Sequence, residues 1–171
     1  EGWEVVNSTN AAFVKAVRQG TEYNKSRYLM IPGYAANCTV GIRHIDIPDD
    51  DRIIISVHAY EPYDFALNTE GRSQWQHDTQ MSLMTELRER FTGKGIPVII
   101  GEFGAMNKDN EADRAEWVEY YIKAAAKAGI RCIWWDNGLF EGEGERFGLF
   151  DRHTYKCGYP KVLEGIQKGI E

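Results

Sequence analysis

Short apolar segments rich in β-branched residues alternate with longer amphipathic segments along this chain of 171 residues, and that alternation limits the fold more than any other feature. The strand-like segments are 27–33, 52–60, 97–105 and 130–135. Their apolar runs are nearly continuous, as in parallel strands that are buried on both faces. Helical segments of about ten residues or more separate them, which is typical of parallel βαβ units. The sequence therefore predicts an α/β fold with four parallel strands, in one domain over residues 1–171.

The first two helices are predicted from a cap and from apolar spacing. One helix is expected to be capped within Asn7–Asn10, to continue through Ala11–Val17 and to end near Gly20. A long loop is expected over residues 35–51. Beyond Ser73, a second helix is predicted from four residues at helical spacing, Met81, Met84, Leu87 and Phe91.

Two further helices are predicted in the second half of the chain. Asn110 is expected to cap the first of them and Gly129 to end it. Its apolar stripe consists of Val118, Tyr121, Ile122 and Ala125. The last helix is expected to begin near Pro160, after a glycine-rich loop at 137–148.

Composition and charge exclude several classes of protein. Apolar residues make up 43% of the chain and charged residues 27%, as in ordinary globular proteins, which excludes disordered and fibrous classes. The apolar stretches are well short of the roughly 20 residues that span a bilayer, so no membrane association is expected. A formal charge of -6, with Lys and Arg scattered among acids, argues against a nucleic-acid partner. The sequence opens without a basic segment followed by an apolar one, so we expect no signal peptide in it.

The cysteines indicate no metal site. Cys38, Cys132 and Cys157 are widely spaced and have no partner at metal-ligand spacing. Cys132 lies within an apolar strand and is expected to be a small core residue. A disulfide between Cys38 and Cys157 stays an open alternative.

A sheet of four parallel strands that does not close leaves two edges with unpaired backbone groups. An open doubly wound sheet tolerates such edges, but the glycine pattern of a nucleotide-binding sheet is missing after the first strand, at 31–36. A barrel does not tolerate them. Two copies of this chain, related by a two-fold axis, would close eight parallel strands, so we expect a homodimer or a complex with a separate half-barrel.

Polar and aromatic side chains follow three of the four strands. His58 and Tyr60 follow the second, Glu102 lies at the end of the third, and Trp135 and Asn137 follow the fourth. Because the carboxyl ends of parallel strands meet at one rim, these groups are expected to lie together. By position alone, Glu102 is equally well explained as a solvated acid and as a catalytic acid. A His and a Tyr at a strand end more often contribute to packing than to catalysis. Their convergence favours a site in which Tyr60 and His58 orient an ionised Glu102.

Aromatic side chains at the same rim favour a carbohydrate ligand. Rings at strand ends and in adjoining loops stack on the apolar faces of sugars, beside polar groups that bind the hydroxyls. Half of these rings are expected to belong to the core instead. Since neighbours in a strand face opposite sides, we predict that Trp135 contacts ligand and Trp134 packs, and Tyr63 is a further candidate for ligand contact.

Four ordered motifs resemble glycoside hydrolase family 5, in particular its endoglucanase and xyloglucanase branch. They are Ile55-Ser-Val-His-Ala-Tyr60, Val98-Ile-Ile-Gly-Glu-Phe-Gly-Ala105, Trp134-Trp-Asp-Asn-Gly138 and Phe147-Gly-Leu-Phe-Asp-Arg152. Segment 28–34 also resembles that branch. The resemblance covers nearly the whole chain and implies one half of a (β/α)8 TIM barrel, the second half. It also implies an extracellular enzyme without a cofactor that cleaves β-1,4-glucans with retention.

By the same resemblance, Glu102 matches the nucleophile, His58 and Tyr60 match the pair beside the scissile sugar, and Trp135 matches the stacking platform. Asn137 is a weaker match for a sugar contact. The family's acid/base lies in an Asn-Glu-Pro motif after the fourth barrel strand, and this sequence has no such motif. The sequence is therefore expected to begin just after that strand.

Two function classes follow. The first is an endo-β-1,4-glucanase that acts through Glu102 on cellulose-type or related β-glucans. The second is a glucan-binding half-barrel that has lost the acid. Four loop carboxyls are candidates for a replacement acid, each more simply explained as a solvated side chain: Glu61, Asp64, Asp136 and Glu141.

Overall fold

The computed structural model of the protein describes residues 2–77 and 82–171. The helices are α1 Gly2–Arg18, α2 Glu22–Lys25, α3 Val40–Arg43, α4 Tyr63–Ala66, α5 Ser82–Arg90, α6 Glu111–Lys127 and α7 Pro160–Ile170. The main strands are β1 Leu29–Asn37, β2 Ile53–His58, β3 Val98–Phe103 and β4 Arg131–Trp134. A 3-10 turn at Thr92–Lys94 follows α5, and two short strands, β5 Phe150–Asp151 and β6 Lys156–Cys157, form an antiparallel pair.

The four main strands form one parallel sheet in the order β1-β2-β3-β4. Each crossover carries helix or turn, as the alternation in the sequence predicts. The described strands leave β1 and β4 as the two edges of this sheet. The predicted α/β fold with four parallel strands is therefore confirmed.

The helices that the structure describes pack against one face of the sheet. In β2, Ile53, Ile55 and Val57 point to the helices and are at most 3% exposed. On the opposite face, the apolar side chains of Met30 and Ile133 stay exposed, at 47% and 54%. Apolar burial is the main force that holds such layers together, so an apolar face left in water is an incomplete core.

The start of the first helix was predicted wrongly. Helix α1 begins at Gly2, so Asn7 and Asn10 lie inside it rather than at its cap. Both side chains are buried: Asn7 Nδ2 donates to the carbonyl of His44, and Asn10 Nδ2 donates to the carbonyl of Pro32, each at 2.8 Å. Their amides bind distant backbone, which overrides the capping preference that a local pattern expresses.

Strand β1 and the loop after it also differ from expectation. The strand continues to Asn37, where a long bulge includes Ala35 and Ala36 in the left-handed region, with φ of 54° and 52°. The predicted loop at 35–51 contains the short helix α3. Met81 lies outside the described residues, while Met84, Leu87 and Phe91 are buried as predicted.

The structure also tests the predicted apolar stripe of α6 and the possible disulfide. Val118, Tyr121 and Ala125 are buried, Ile122 is partly buried, and Gly129 follows the helix with a positive φ of 76°, as predicted. The thiols of Cys38 and Cys157 are both free, so the alternative of a disulfide between them is not realised.

Candidate active site

A β-bulge in β3 places Glu102 on the uncovered face of the sheet. Val57 pairs with Ile100, but His58 pairs with Glu102, so Gly101 is an extra residue in the ladder. Ile100 is fully buried on the helix side, and strict alternation would send Glu102 to that same side. The bulge shifts the alternation by one, and a bulge next to a functional site commonly re-aims a side chain in this way. Glu102 therefore stands beside His58.

Two donors converge on one oxygen of the Glu102 carboxylate. The hydroxyl of Tyr60 donates to Oε2 at 2.9 Å, and Nδ1 of His58 lies 3.2 Å from the same atom. Donation by His58 requires the tautomer with hydrogen on Nδ1 or the charged ring. The predicted convergence of Glu102, His58 and Tyr60 is therefore present in the structure, and both donors meet at Oε2.

Tyr60 acts as a hydrogen donor. Burial raises the pKa of its hydroxyl far above the ordinary range, and the bond to Glu102 and the charge of that carboxylate raise the pKa further. The phenol ring lies against Phe147, at 5.5 Å between ring centroids. Tyr60 is thus neutral at any ordinary pH and held in place by packing, as an orienting donor must be.

The two neighbouring tryptophans face opposite sides, as predicted. Trp134 packs against Phe103 at 5.6 Å and 81° and against Trp117 at 6.5 Å and 68°, within the helix layer. Trp135 is 39% exposed at the end of β4. Trp135 therefore offers a ring to solvent, and Trp134 fills the core.

Asn137 and Tyr63 have contrasting surroundings. Asn137 Nδ2 donates to the carbonyl of Glu145, and Oδ1 accepts from the amides of Leu139 and Phe147, so this amide orders its own loop. Tyr63 opens α4 and is 60% exposed. Asn137 and Tyr63 remain predicted sugar contacts, and for Asn137 only the second amide hydrogen is left for such a contact.

The candidate replacement acids are not equivalent. Asp136 accepts from the amides of Gly138 and Phe150, one with each oxygen, and Asp64 accepts from the side chain of Asn68 and the amide of Arg72. Both carboxyls are thus occupied by loop bonds. Burial raises the pKa of Glu61, whose Oε1 lies 4.0 Å from the thiol of Cys38. Glu141 is exposed in the loop after β4.

One buried charged residue near the site escaped the sequence prediction. Arg114 is fully buried in the first turn of α6 and donates through Nε to the carbonyl of Ala105 at 2.9 Å. The available signal was helical spacing, because residue 114 shares a face with Val118 and Tyr121. Arginine is almost never fully buried unless it is paired, so spacing alone does not predict a buried arginine at this position.

The described residues also bear on metal and membrane binding. Within 2–77 and 82–171, no group of three or more His, Cys, Asp or Glu side chains is arranged to hold a metal ion. Nor does this part of the chain contain a helix long and apolar enough to cross a bilayer.

Comparison with known proteins gives a consistent family. The family model for cellulase, glycosyl hydrolase family 5, matches residues 1–141. Endoglucanase B of Neocallimastix patriciarum is 49% identical to this chain over 175 residues, which cover 99% of the chain and 37% of that protein. The chain therefore spans less than half the length of this relative.

Solved structures agree with the sequence matches. A family 5 lichenase from a Caldicellulosiruptor species has a TM-score of 0.91 at 43% identity, over 99% of this chain and 50% of that one. A broad-specificity endoglucanase from Ruminococcus champanellensis, solved with bound cellotriose, has a TM-score of 0.85 at 42% identity, over 97% of this chain and 50% of that one. The four strands thus correspond to half of a TIM barrel. Because the family model matches residues 1–141, which is most of the sequence, this chain belongs to glycoside hydrolase family 5.

Proposed function

We propose that this chain provides the nucleophile side of a retaining endo-β-1,4-glucanase, an enzyme that hydrolyses internal β-1,4 bonds of cellulose-type or related β-glucans. The observation that carries the proposal is the convergence of Tyr60 and His58 on Oε2 of Glu102, at 2.9 and 3.2 Å. Two donors on one oxygen fix the orientation of the carboxylate. The other oxygen, Oε1, is then proposed to attack the anomeric carbon.

The proposed reaction has two displacements. In the first, Oε1 of Glu102 forms a bond to the anomeric carbon while the bond to the leaving sugar breaks, and the leaving oxygen takes a proton from an acid. In the second, water attacks the anomeric carbon, gives its proton to the same group acting as base, and releases Glu102. Tyr60 and His58 stay bonded to Oε2 and orient the nucleophile throughout.

The proposed ligand is a β-linked glucan. Trp135 presents a partly exposed ring after β4, the strand next to the one that carries Glu102, and is proposed as the sugar-stacking platform, with Tyr63 and Asn137 as outer contacts. A relative of the same fold was solved with cellotriose, and a variant of the Caldicellulosiruptor lichenase with cellotetraose. Since a polysaccharide does not enter cells, we propose that the enzyme acts outside the cell.

The acid/base is proposed to come from a unit that covers the open face of the sheet. A retaining pair requires two carboxyls about 5 to 5.5 Å apart, and the Asn-Glu-Pro motif that carries the acid in this family is absent from this sequence. A second copy of this chain would close the barrel but bring only a second Glu102. Activity at full rate therefore requires an N-terminal half-barrel, whereas a homodimer would be a weak enzyme or a binder.

A glucan-binding role without turnover is the second candidate. It is favoured by the state of two of the four candidate acids, since the carboxyls of Asp64 and Asp136 are both occupied by loop hydrogen bonds. General acid assistance is typically worth about 10²- to 10⁴-fold, so its loss leaves binding intact and turnover small.

Comparison of the wild type with Glu102→Gln separates the two candidates. Gln has nearly the same shape but cannot attack the anomeric carbon. We expect the wild type to release reducing ends from soluble mixed-linkage β-glucan and the variant to be slower by at least about 100-fold. Calorimetric titration with cellotetraose checks that the variant still binds. If neither protein releases reducing ends and both bind cellotetraose, the enzyme is rejected and the glucan-binding role is supported.

A further inference from the structure

The guanidinium of Arg114 is buried and forms no direct ion pair within the described residues, although the charge of Glu111 in the same helix turn offsets part of the cost of burial. Its Nη1 and Nη2 are buried and make no hydrogen bond, and no ion pair with Arg114 occurs within residues 2–77 and 82–171. It also lies in the first turn of α6, where the helix dipole is positive and disfavours a cation. Burial lowers the pKa of Arg114 to about 10, in line with this unfavourable placement. Burial of an unpaired cation is costly, so packing alone does not explain an arginine at this position.

The contacts of Arg114 lie at the ends of β3 and β4, two of the three strands that carry the site. Its Nε donates to the carbonyl of Ala105, three residues after Glu102, at 2.9 Å. Its central carbon lies 5.9 Å from the ring of Trp134, the neighbour of Trp135. The same atom lies 4.6 Å from the ring of Tyr159, the residue before α7. One side chain thus joins the segment after β3, the end of β4 and the start of α7.

We propose that Arg114 is a positioning residue for the candidate active site. Its side chain fixes the end of β3 relative to the end of β4, and thereby the position of Glu102 relative to Trp135. This inference rests on the proposed function. Arg114 touches neither residue and acts through the Ala105 carbonyl and the Trp134 ring. The direct hydrogen bond is to the β3 side, so the larger effect falls on Glu102 and hence on kcat. The contact with Trp134 is longer and has a smaller effect on ligand binding.

Replacement by methionine separates positioning from stability. Met removes an unpaired buried charge, which is favourable, and the donor to Ala105, which is unfavourable, while it keeps most of the volume, so Arg114→Met is expected to change the melting temperature little. Turnover of mixed-linkage β-glucan is expected to fall by about 10- to 100-fold in kcat, because a misplacement of about 1 Å has that effect. KM is expected to change by a smaller factor. Arg114→Lys keeps a charged donor for Ala105 and is expected to recover part of the lost kcat.

Arg88→Met is the matched control. Arg88, an exposed residue of α5, also donates to a backbone carbonyl, that of Lys127 at the opposite end of α6. This variant is expected to keep kcat within about twofold of the wild type. An Arg114→Met protein with the kcat of the wild type would overturn the proposal. So would a parallel loss of kcat and of melting temperature without recovery in Arg114→Lys, because that pattern marks a purely structural residue.

A binding measurement keeps the test independent of turnover. In calorimetric titration with cellotetraose, Arg114→Met is expected to bind at least about threefold more weakly than the wild type, through the displaced Trp135. If the wild type binds but releases no reducing ends, the proposed catalysis fails while this comparison still decides the role of Arg114. Equal affinities would then reject the positioning role. A wild type that neither binds nor hydrolyses would overturn both proposals.

Discussion

Removal of the Tyr60 hydroxyl tests the proposed orientation of the nucleophile most directly. Tyr60→Phe deletes one oxygen and keeps the ring against Phe147. The lost bond joins the hydroxyl to the Glu102 carboxylate at 2.9 Å. Hydrogen bonds to charged groups are worth about 1.5–3 kcal/mol. Since about 1.36 kcal/mol corresponds to a factor of ten, kcat/KM is expected to fall by about 10- to 150-fold.

Tyr121→Phe is the matched control for this variant. Its hydroxyl donates to the carbonyl of Ala59 at 2.9 Å, in the helix layer on the other side of β2. The acceptor is neutral and buried, so this variant should lose about 1–2 kcal/mol of unfolding free energy and little activity. Tyr60→Phe should instead lose activity and little unfolding free energy. Glu102 is partly exposed, so water replaces the lost donor in the folded protein.

Urea denaturation and initial rates on mixed-linkage β-glucan measure the two effects. The reasoning would be refuted if Tyr60→Phe kept kcat/KM within twofold of the wild type. It would also be refuted if Tyr121→Phe lost as much activity as Tyr60→Phe, because the hydroxyl on Glu102 would then have no special role.

Two further predictions concern groups whose pKa is raised by burial. Burial raises the pKa of Glu61 in the folded state above its unfolded value of about 4.5. Because the folded state favours the protonated carboxyl, the wild type loses stability as the pH rises from about 4.5 through the folded-state pKa. Glu61→Gln should therefore be the more stable protein at pH 7 and no more stable at pH 3 in urea denaturation; a constant difference would contradict this. Burial also raises the pKa of the Cys38 thiol to about 11, so iodoacetamide at pH 8 should label it slowly in the folded protein and rapidly in urea. Half-buried Cys157 is the internal reference in mass spectrometry, and rapid native labelling of Cys38 would count against its burial.

Local patterns predicted the elements well and their limits less well. The β-branched runs and the stripe of α6 give the right strands and helix, because periodicity reflects which face is buried. The start of α1 was predicted wrongly because Asn7 and Asn10 look like caps locally but bind backbone at His44 and Pro32. Such long-range hydrogen bonds leave no local pattern.

The site shows the same division. The residue types and their place at strand ends indicated Glu102, His58 and Tyr60, because parallel strands bring their carboxyl ends to one rim. The extra residue at Gly101 was not predicted, although it turns Glu102 out of the core. A bulge depends on the pairing of two strands, so the sequence of one strand does not reveal it.

The sequence by itself determined the order of strands and helices, the parallel sheet and the family motif around Glu102, since these follow from periodicity and from residues close in the chain. Only the tertiary structure decided that the two donors share Oε2, that the bulge at Gly101 turns Glu102 out of the core, and that Arg114 is buried without an ion pair among the described residues. Each of these depends on side chains that meet from separate elements. Their distances are set by packing across the sheet, which no single segment encodes.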